Sequence, residues 1–149
     1  MTHPNIRSSR PGILSALLIL GAGCGVTTPS SSAVSIDMSA ATFARDSTTL
    51  AAVIPLALHN HDSVTVYVPG CGPNPVLTLQ QWTGTGWQDR TSLVGCISNP
   101  APIALMSGAI LADTQRCALV GTFRYTVSYG LSASQPLNVI AWGSAFTVQ

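Results

Sequence analysis

The chain contains no lysine and no glutamate; its charge comes from six arginines and five aspartates among 149 residues. That excludes the dense basic footprint by which nucleic acid is held, and it excludes an acidic tail. Two of the good helix formers are missing. Threonine, valine, serine and glycine fill the chain instead, and these favour strands and turns. There is no Gly-x-Ser-x-Gly, no Walker loop and no Cys-x-x-Cys, so the common short signatures of nucleophilic, phosphate and redox chemistry do not apply. No repeat with a period of about 20–50 residues is visible. No apolar run reaches the roughly 20 residues that a membrane-crossing helix requires.

The apolar run that does occur, from Ile13 to Gly23, has the roughly 7–15 residues of a secretory leader's apolar segment. It follows "MTHPNIRSSRPG", which has Arg7 and Arg10 and no acid. Only Ser15 interrupts it, so it lacks the polar face of a globular helix. Gly21, Ala22 and Gly23 directly before Cys24 resemble a bacterial lipobox. The resemblance implies removal of residues 1–23 and acylation of Cys24, with palmitate among its chains. The lipobox pattern usually has leucine three residues before the cysteine; here Gly21 stands there and Leu20 lies one further back. An ordinary secretory leader cut near the same place, with Cys24 a stray thiol, is the alternative, and both readings export the chain. Gly25 is not the aspartate that retains such lipoproteins in the inner membrane. The resemblance therefore implies an outer leaflet, or the outer membrane where the organism has one.

Residues 24–32, "CGVTTPSSS" with the cysteine, are too small and polar to offset the entropy of ordering and are expected to form a flexible tether. Residues 33–149 have the length of one domain. Without the leader, four arginines face five aspartates, a formal charge of −1.

Within that domain the hydrophobic period is two. "AVSIDMS" alternates Val34, Ile36 and Met38 with polar neighbours. "TTLAAVIPLALHN" carries Leu50, Ile54, Leu56 and Leu58 on one face, with Pro55 marking a partly edge or bulged strand. Asn60, His61 and Asp62 form a turn, and "SVTVYV" with Val64, Val66 and Val68 follows, so these two strands are expected to pair as a hairpin. "PGCGPNP" is a rigid loop. In "VLTLQQWTGTGWQDR", a two-residue loop at Gly84-Thr85 suits a type II′ turn and sets Trp82 opposite Trp87. "PIALMSGAIL" supplies a strand and a turn at Ser107-Gly108. "GTFRYTVSYG" places Phe123, Tyr125, Val127 and Tyr129 on one side. "NVIAWGSAFTVQ" ends the chain with Val139, Trp142, Phe146 and Val148, and Gly143 marks a bulge. Short strands at roughly 8–12-residue spacing mean an all-β sandwich or barrel.

From about Ala33 the chain resembles the immunoglobulin-like domains of bacterial surface lipoproteins. The likeness is carried by "LALHNHDSVTVYVPGCG", "TGTGWQD", Cys96 before a strand and a Ser-Gly turn, "GTFRYTV" and "SAFTV". It implies an immunoglobulin-like β-sandwich of seven to nine antiparallel strands and an envelope location. It implies no activity, because members of that group mostly have none assigned. Two features depart from true immunoglobulin domains. Phe123 stands where a tyrosine corner would have its tyrosine, and Tyr125 stands at the usual place of the second inter-sheet cysteine.

With Cys24 acylated, Cys71, Cys96 and Cys117 remain. Export favours disulfides, and the loops that flank the tryptophan hairpin favour Cys71–Cys96, whose closure would stabilise by roughly 3–4 kcal/mol. That leaves Cys117 as a free thiol; Arg116 beside it is able to lower its pKa, but a semi-buried thiol is the simpler account. His59 and His61 point the same way along a strand and, with Asp62, are weak candidates for a metal site. No third histidine, glutamate or methionine cluster accompanies them, so two solvated turn residues are the simpler account. No cofactor site and no catalytic residue is expected. The leading functional class is a lipid-anchored, exported, non-enzymatic binding or envelope-assembly module. Its partners are the membrane and an envelope protein. A peptidase inhibitor acting through the stiff loops "PGCGPNP" and "SNPAP" is the alternative, and a metal-binding protein using His59 and His61 comes third.

Overall fold

The computed structural model describes residues 32–90, Cys96 and residues 101–149. The expected leader, Cys24 and the tether up to residue 31 lie outside the described residues, as does most of "SNPAP". Ser31–Gln149 form one compact unit, and its described residues contain strands and turns without a helix. In chain order the strands are β1 (Val34–Met38), β2 (Thr42–Phe43), β3 (Ala52–Asn60), β4 (Val66–Val68), β5 (Gly70–Cys71), β6 (Asn74–Pro75) and β7 (Thr78–Trp82). They continue as β8 (Trp87–Arg90), β9 (Ile103–Leu105), β10 (Ile110–Cys117), β11 (Gly121–Tyr129), β12 (Val139–Trp142) and β13 (Phe146–Val148).

One sheet has the order β1-β3-β10. The larger sheet has the order β2-β13-β11-β7-β8, with β12 also paired to β11. Consecutive long strands therefore change sheet: β3 and β7 are apart, and so are β10 and β11. This division of strands between two sheets is the immunoglobulin-like one, with β8 added to the larger sheet as in the variable type. The pairings are antiparallel except that of β2 with β13.

Period-two alternation fills the space between the sheets. Val34 and Ile36 of β1, Ile54, Leu56 and Leu58 of β3, and Phe123, Tyr125, Val127 and Tyr129 of β11 are all buried. Phe146 is the hub. Its ring centre lies 5.5 Å from that of Tyr125 in a stacked pair, 5.7 Å from Phe43 edge-on and 6.0 Å from Phe123. The two positions that depart from true immunoglobulin domains, Phe123 and Tyr125, thus meet in one aromatic cluster, where each such pair adds roughly 0.5–1.5 kcal/mol beyond area burial.

Pro55 shows how a proline enters a strand with neighbours on both sides. β1 pairs with β3 only from Leu56 to Asn60. Pro55 is the next residue along, and its carbonyl accepts from the Ser39 N–H just past the end of β1. The N–H that proline lacks would point to that same side, where β3 has become an edge.

The expected hairpin between β3 and β4 does not form. β4 pairs with β9 instead, and Tyr67 exchanges both backbone hydrogen bonds with Gly130 beyond the end of β11. At this crossing stands Asn60, which is fully buried. Its Nδ2 donates to the carbonyls of Val64 (2.8 Å) and Leu105 (2.9 Å), and its Oδ1 accepts from the Asp62 N–H. A residue expected to supply a turn instead ties the end of β3 to Leu105 of β9, the partner strand of β4. Leu50, expected on the core face, is 60% exposed in a turn with φ 55°.

β10 is longer than the sequence suggested, and Cys117 is its last residue rather than a linker before the next strand. Its inward positions are Leu111, Asp113, Gln115 and Cys117, opposite Leu58, Leu56, Ile54 and Ala52. Asp113 and Gln115 are half-buried and satisfy one another, the Gln115 amide donating to the Asp113 carboxylate. Two polar residues on the core side hide the alternation.

Candidate binding face

The hairpin of β7 and β8 turns at Gly84-Thr85. Gly84 has φ 92°, which suits glycine at the first central position of such a turn. The Thr83 N–H donates to the Gly86 carbonyl at 3.0 Å. This sets Trp82 opposite Trp87, as the sequence predicts. Their ring centres are 5.5 Å apart with planes tilted by 59°.

Because Leu77 and Leu79 are buried, the alternating residues Thr78, Gln80 and Trp82 point to solvent. Gln80 faces Arg124 on β11 and Asp89 on β8. The three side chains join in a row. Arg124 Nε donates to Gln80 Oε1 at 2.7 Å, and Gln80 Nε2 donates to Asp89 Oδ1 at 2.7 Å. The Arg124 guanidinium lies 4.4 Å from the Trp87 ring centre, within cation–π range. Partial desolvation moves its pKa down from the ordinary arginine value.

Trp142 reaches the same face by a different device. β12 pairs Trp142 with Thr126, whereas β13 pairs Phe146 with Phe123. Three residues, 143 to 145, thus stand against two, Arg124 and Tyr125. This is the one-residue bulge expected at Gly143, which reverses the alternation. Phe146 points into the core and Trp142 points out, although their numbers have the same parity. Gly143 lets β12 pass close to β1: a Cβ there would stand 3.2 Å from Ile36 Cβ and from Met38 Cε, a tight fit that these neighbours would have to yield to. All three tryptophans of the chain therefore project from the outer side of the larger sheet. Trp82 is 43% and Trp142 56% exposed. Nothing in the residue pattern groups Trp142 with the other two. The period-two positions of Gln80, Trp82 and Arg124 were the available signal.

His59 lies on β3 of the smaller sheet and His61 just past its end. Their ring centres are 4.0 Å apart. His61 Nε2 lies 2.9 Å from Ser35 Oγ, which donates to Asp37 Oδ2 at 3.0 Å. Asp62 does not join them. Its carboxylate accepts from the Ser63 N–H at 2.7 Å and closes the turn. Among the described residues no group of three histidine, cysteine, aspartate or glutamate side chains could hold a metal ion.

Cys71 and Cys96 form a disulfide, with Cα atoms 5.5 Å apart. It holds the β5–β6 ribbon, which lies between β4 and β7. β11 meets Thr78 opposite Thr126 and Tyr67 opposite Gly130. Three residues of β11, 127 to 129, thus stand against ten of the opposing chain, 68 to 77, and the excess, with Gly72 at φ 62°, projects as the stapled loop. Cys117 is a buried free thiol. Burial pushes its pKa up, against a smaller opposing effect of the Leu119 backbone. The simpler account, a thiol taken up into the fold, is the one observed; Arg116 does not lower its pKa, because alternation sends Arg116 outward and Cys117 inward.

No known protein-family profile and no curated protein sequence matches the chain. Among solved structures it is similar to the CARDB domain of the PF1109 protein from Pyrococcus furiosus, in complex with di-metal ions. The identity is 10%, covering 78% of this chain and 85% of that one, with a TM-score of 0.36. It is also similar to the ASH/PapD-like domain 7 of human CEP192, at 14% identity over 97% and 94% of the two chains, with a TM-score of 0.42.

Proposed function

We propose that the protein is a non-enzymatic binding module. It is exported and held at a bacterial membrane by acyl chains on Cys24, and it binds through the outer side of the larger sheet. The observation that carries this reading is the placement of all three tryptophans on that one outer face. Two of these rings remain widely exposed, so the core gains little from them. Tryptophan and arginine are the side chains most enriched where surfaces make strong contacts. Export is supported by the Cys71–Cys96 bridge, since disulfides persist in oxidising compartments.

The test is cell fractionation. The wild type should sit in the membrane fraction, and its intact mass should show loss of residues 1–23 and added acyl mass. A version secreted through an ordinary cleavable leader and lacking Cys24 should still be retained on washed envelopes. Changing Trp82→Ala and Trp142→Ala in that version should release it. An unmodified, soluble wild type would overturn the anchor, and envelope retention that ignores the tryptophans would overturn the binding face.

A second reading, a peptidase inhibitor, is favoured by the stapled loop alone. The Val76 N–H donates to the Pro69 carbonyl at 2.8 Å, the disulfide holds Cys71, and a loop ordered in advance costs less to bind. A protease panel separates this reading from the first. Titration with copper or zinc tests the third, a metal held by His59 and His61.

A further inference from the structure

We infer that the ligand of the tryptophan face is an uncharged polysaccharide, a chain of linked pyranose rings. This rests on the binding-module reading and names its ligand. The face has two aromatic ends and a polar middle. Trp82 follows Gln81, the partner of Phe123, while Trp142 is the partner of Thr126. The two ends are therefore about four residues, or roughly 13 Å, apart along the strands. Between them lie Thr78, Gln80, Thr122 and Arg124, with Asp89 beside Gln80.

Protein interfaces want an apolar, desolvated centre, and this face has its polar groups there. Arg124 and Asp89 carry opposite formal charges and are joined through Gln80, so the strip offers no net field to an anionic polymer or an anionic lipid surface. What fits is a neutral ligand that alternates apolar faces with hydrogen-bonding edges. A pyranose ring packs its C–H face on the electron-rich face of an indole. Its hydroxyls both donate and accept, which suits the amide, guanidinium, carboxylate and threonine groups of the strip. The span between the indoles calls for several linked rings. Strands, rather than loops, hold the site in place before binding.

The experiment is retention of the processed protein on insoluble chitin, cellulose and β-1,3-glucan, with fluorescence titration by soluble oligomers of N-acetylglucosamine. Retention on at least one polysaccharide is expected, and it should persist at high salt because no ion pair drives it. Trp82→Ala and Trp142→Ala should each weaken binding by about tenfold. Met106→Ala, at an exposed position away from the tryptophan-bearing strands, should leave binding unchanged. If a tryptophan variant fails to fold, protection of the wild-type indoles from N-bromosuccinimide by the bound sugar replaces it. No retention on any of the three, retention that ignores both tryptophans, or unprotected indoles would overturn the inference. Envelope retention that needs the tryptophans, without polysaccharide binding, would overturn the sugar assignment and leave the binding-module reading standing.

Discussion

The guanidinium of Arg124 on β11 stands 4.4 Å from the centre of the Trp87 ring on β8, while its Nε holds Gln80 on the strand between them. One side chain thereby links three strands of the larger sheet and orders the tryptophan hairpin. The paired indoles should give an exciton couplet in circular dichroism. The couplet should vanish in Trp87→Ala and survive in Arg124→Lys. The lysine variant keeps the charge but loses the planar fork, and it should lose about 1 kcal/mol in denaturant melts. A wild type without a couplet would contradict the ring geometry.

Asn60 makes the strongest single stability prediction. Asn60→Ala leaves the Val64 and Leu105 carbonyls without their side-chain donor, and it should cost about 3 kcal/mol in urea unfolding. Asn60→Asp should be worse at neutral pH than in acid. Its carboxylate would face two carbonyl oxygens, so its folded pKa would rise above the unfolded value. Stability is then kept while the group is protonated and lost as pH rises. Equal melts at acid and neutral pH would count against this geometry.

Leu50 offers a substitution in the opposite direction. Its left-handed backbone, with φ 55°, costs a residue bearing a Cβ roughly 1–2 kcal/mol. Its side chain is 60% exposed, so little packing is lost on removal. Leu50→Gly should raise thermal stability by about 1 kcal/mol after the glycine's own entropy cost is taken off. A fall in melting temperature would refute the turn conformation.

Alkaline pH should unfold the domain through two groups. Burial raises the thiol of Cys117 above 9.0, and burial, with Cys117 and Asp113 adding to it, raises the phenol of Tyr125 well above 10.0. Both are neutral acids held protonated by folding. Their contribution is full below the unfolded values and is lost as pH rises, since the unfolded chain then binds fewer protons than the folded one. Stability should start to fall near pH 9 and fall more steeply beyond 10. Cys117→Ala should remove the first part of the decline and Tyr125→Phe the second. Alkaline melts that match the wild type in both variants would sink the assignment.

Some of this protein could be read directly from its residues. The alternation of Phe123, Tyr125, Val127 and Tyr129 defines β11, because a half-buried strand has a period of two whatever surrounds it. Gly84-Thr85 was legible as a turn, because glycine's backbone freedom is a local property, and Gly143 as a bulge, because a glycine inside a strand pattern marks one. The loops flanking one hairpin brought Cys71 and Cys96 under one reading for the same reason. What needed the tertiary structure was set by partners distant in sequence. Asn60 reads as a turn residue until Leu105, far along the chain, supplies the carbonyl that makes it a buried tie. Asp113 and Gln115 conceal a strand because each supplies the other's hydrogen bond inside the fold. Trp142 joins Trp82 and Trp87 only because a one-residue bulge shifts its register against β11, and register is a relation between strands that neither strand's sequence contains.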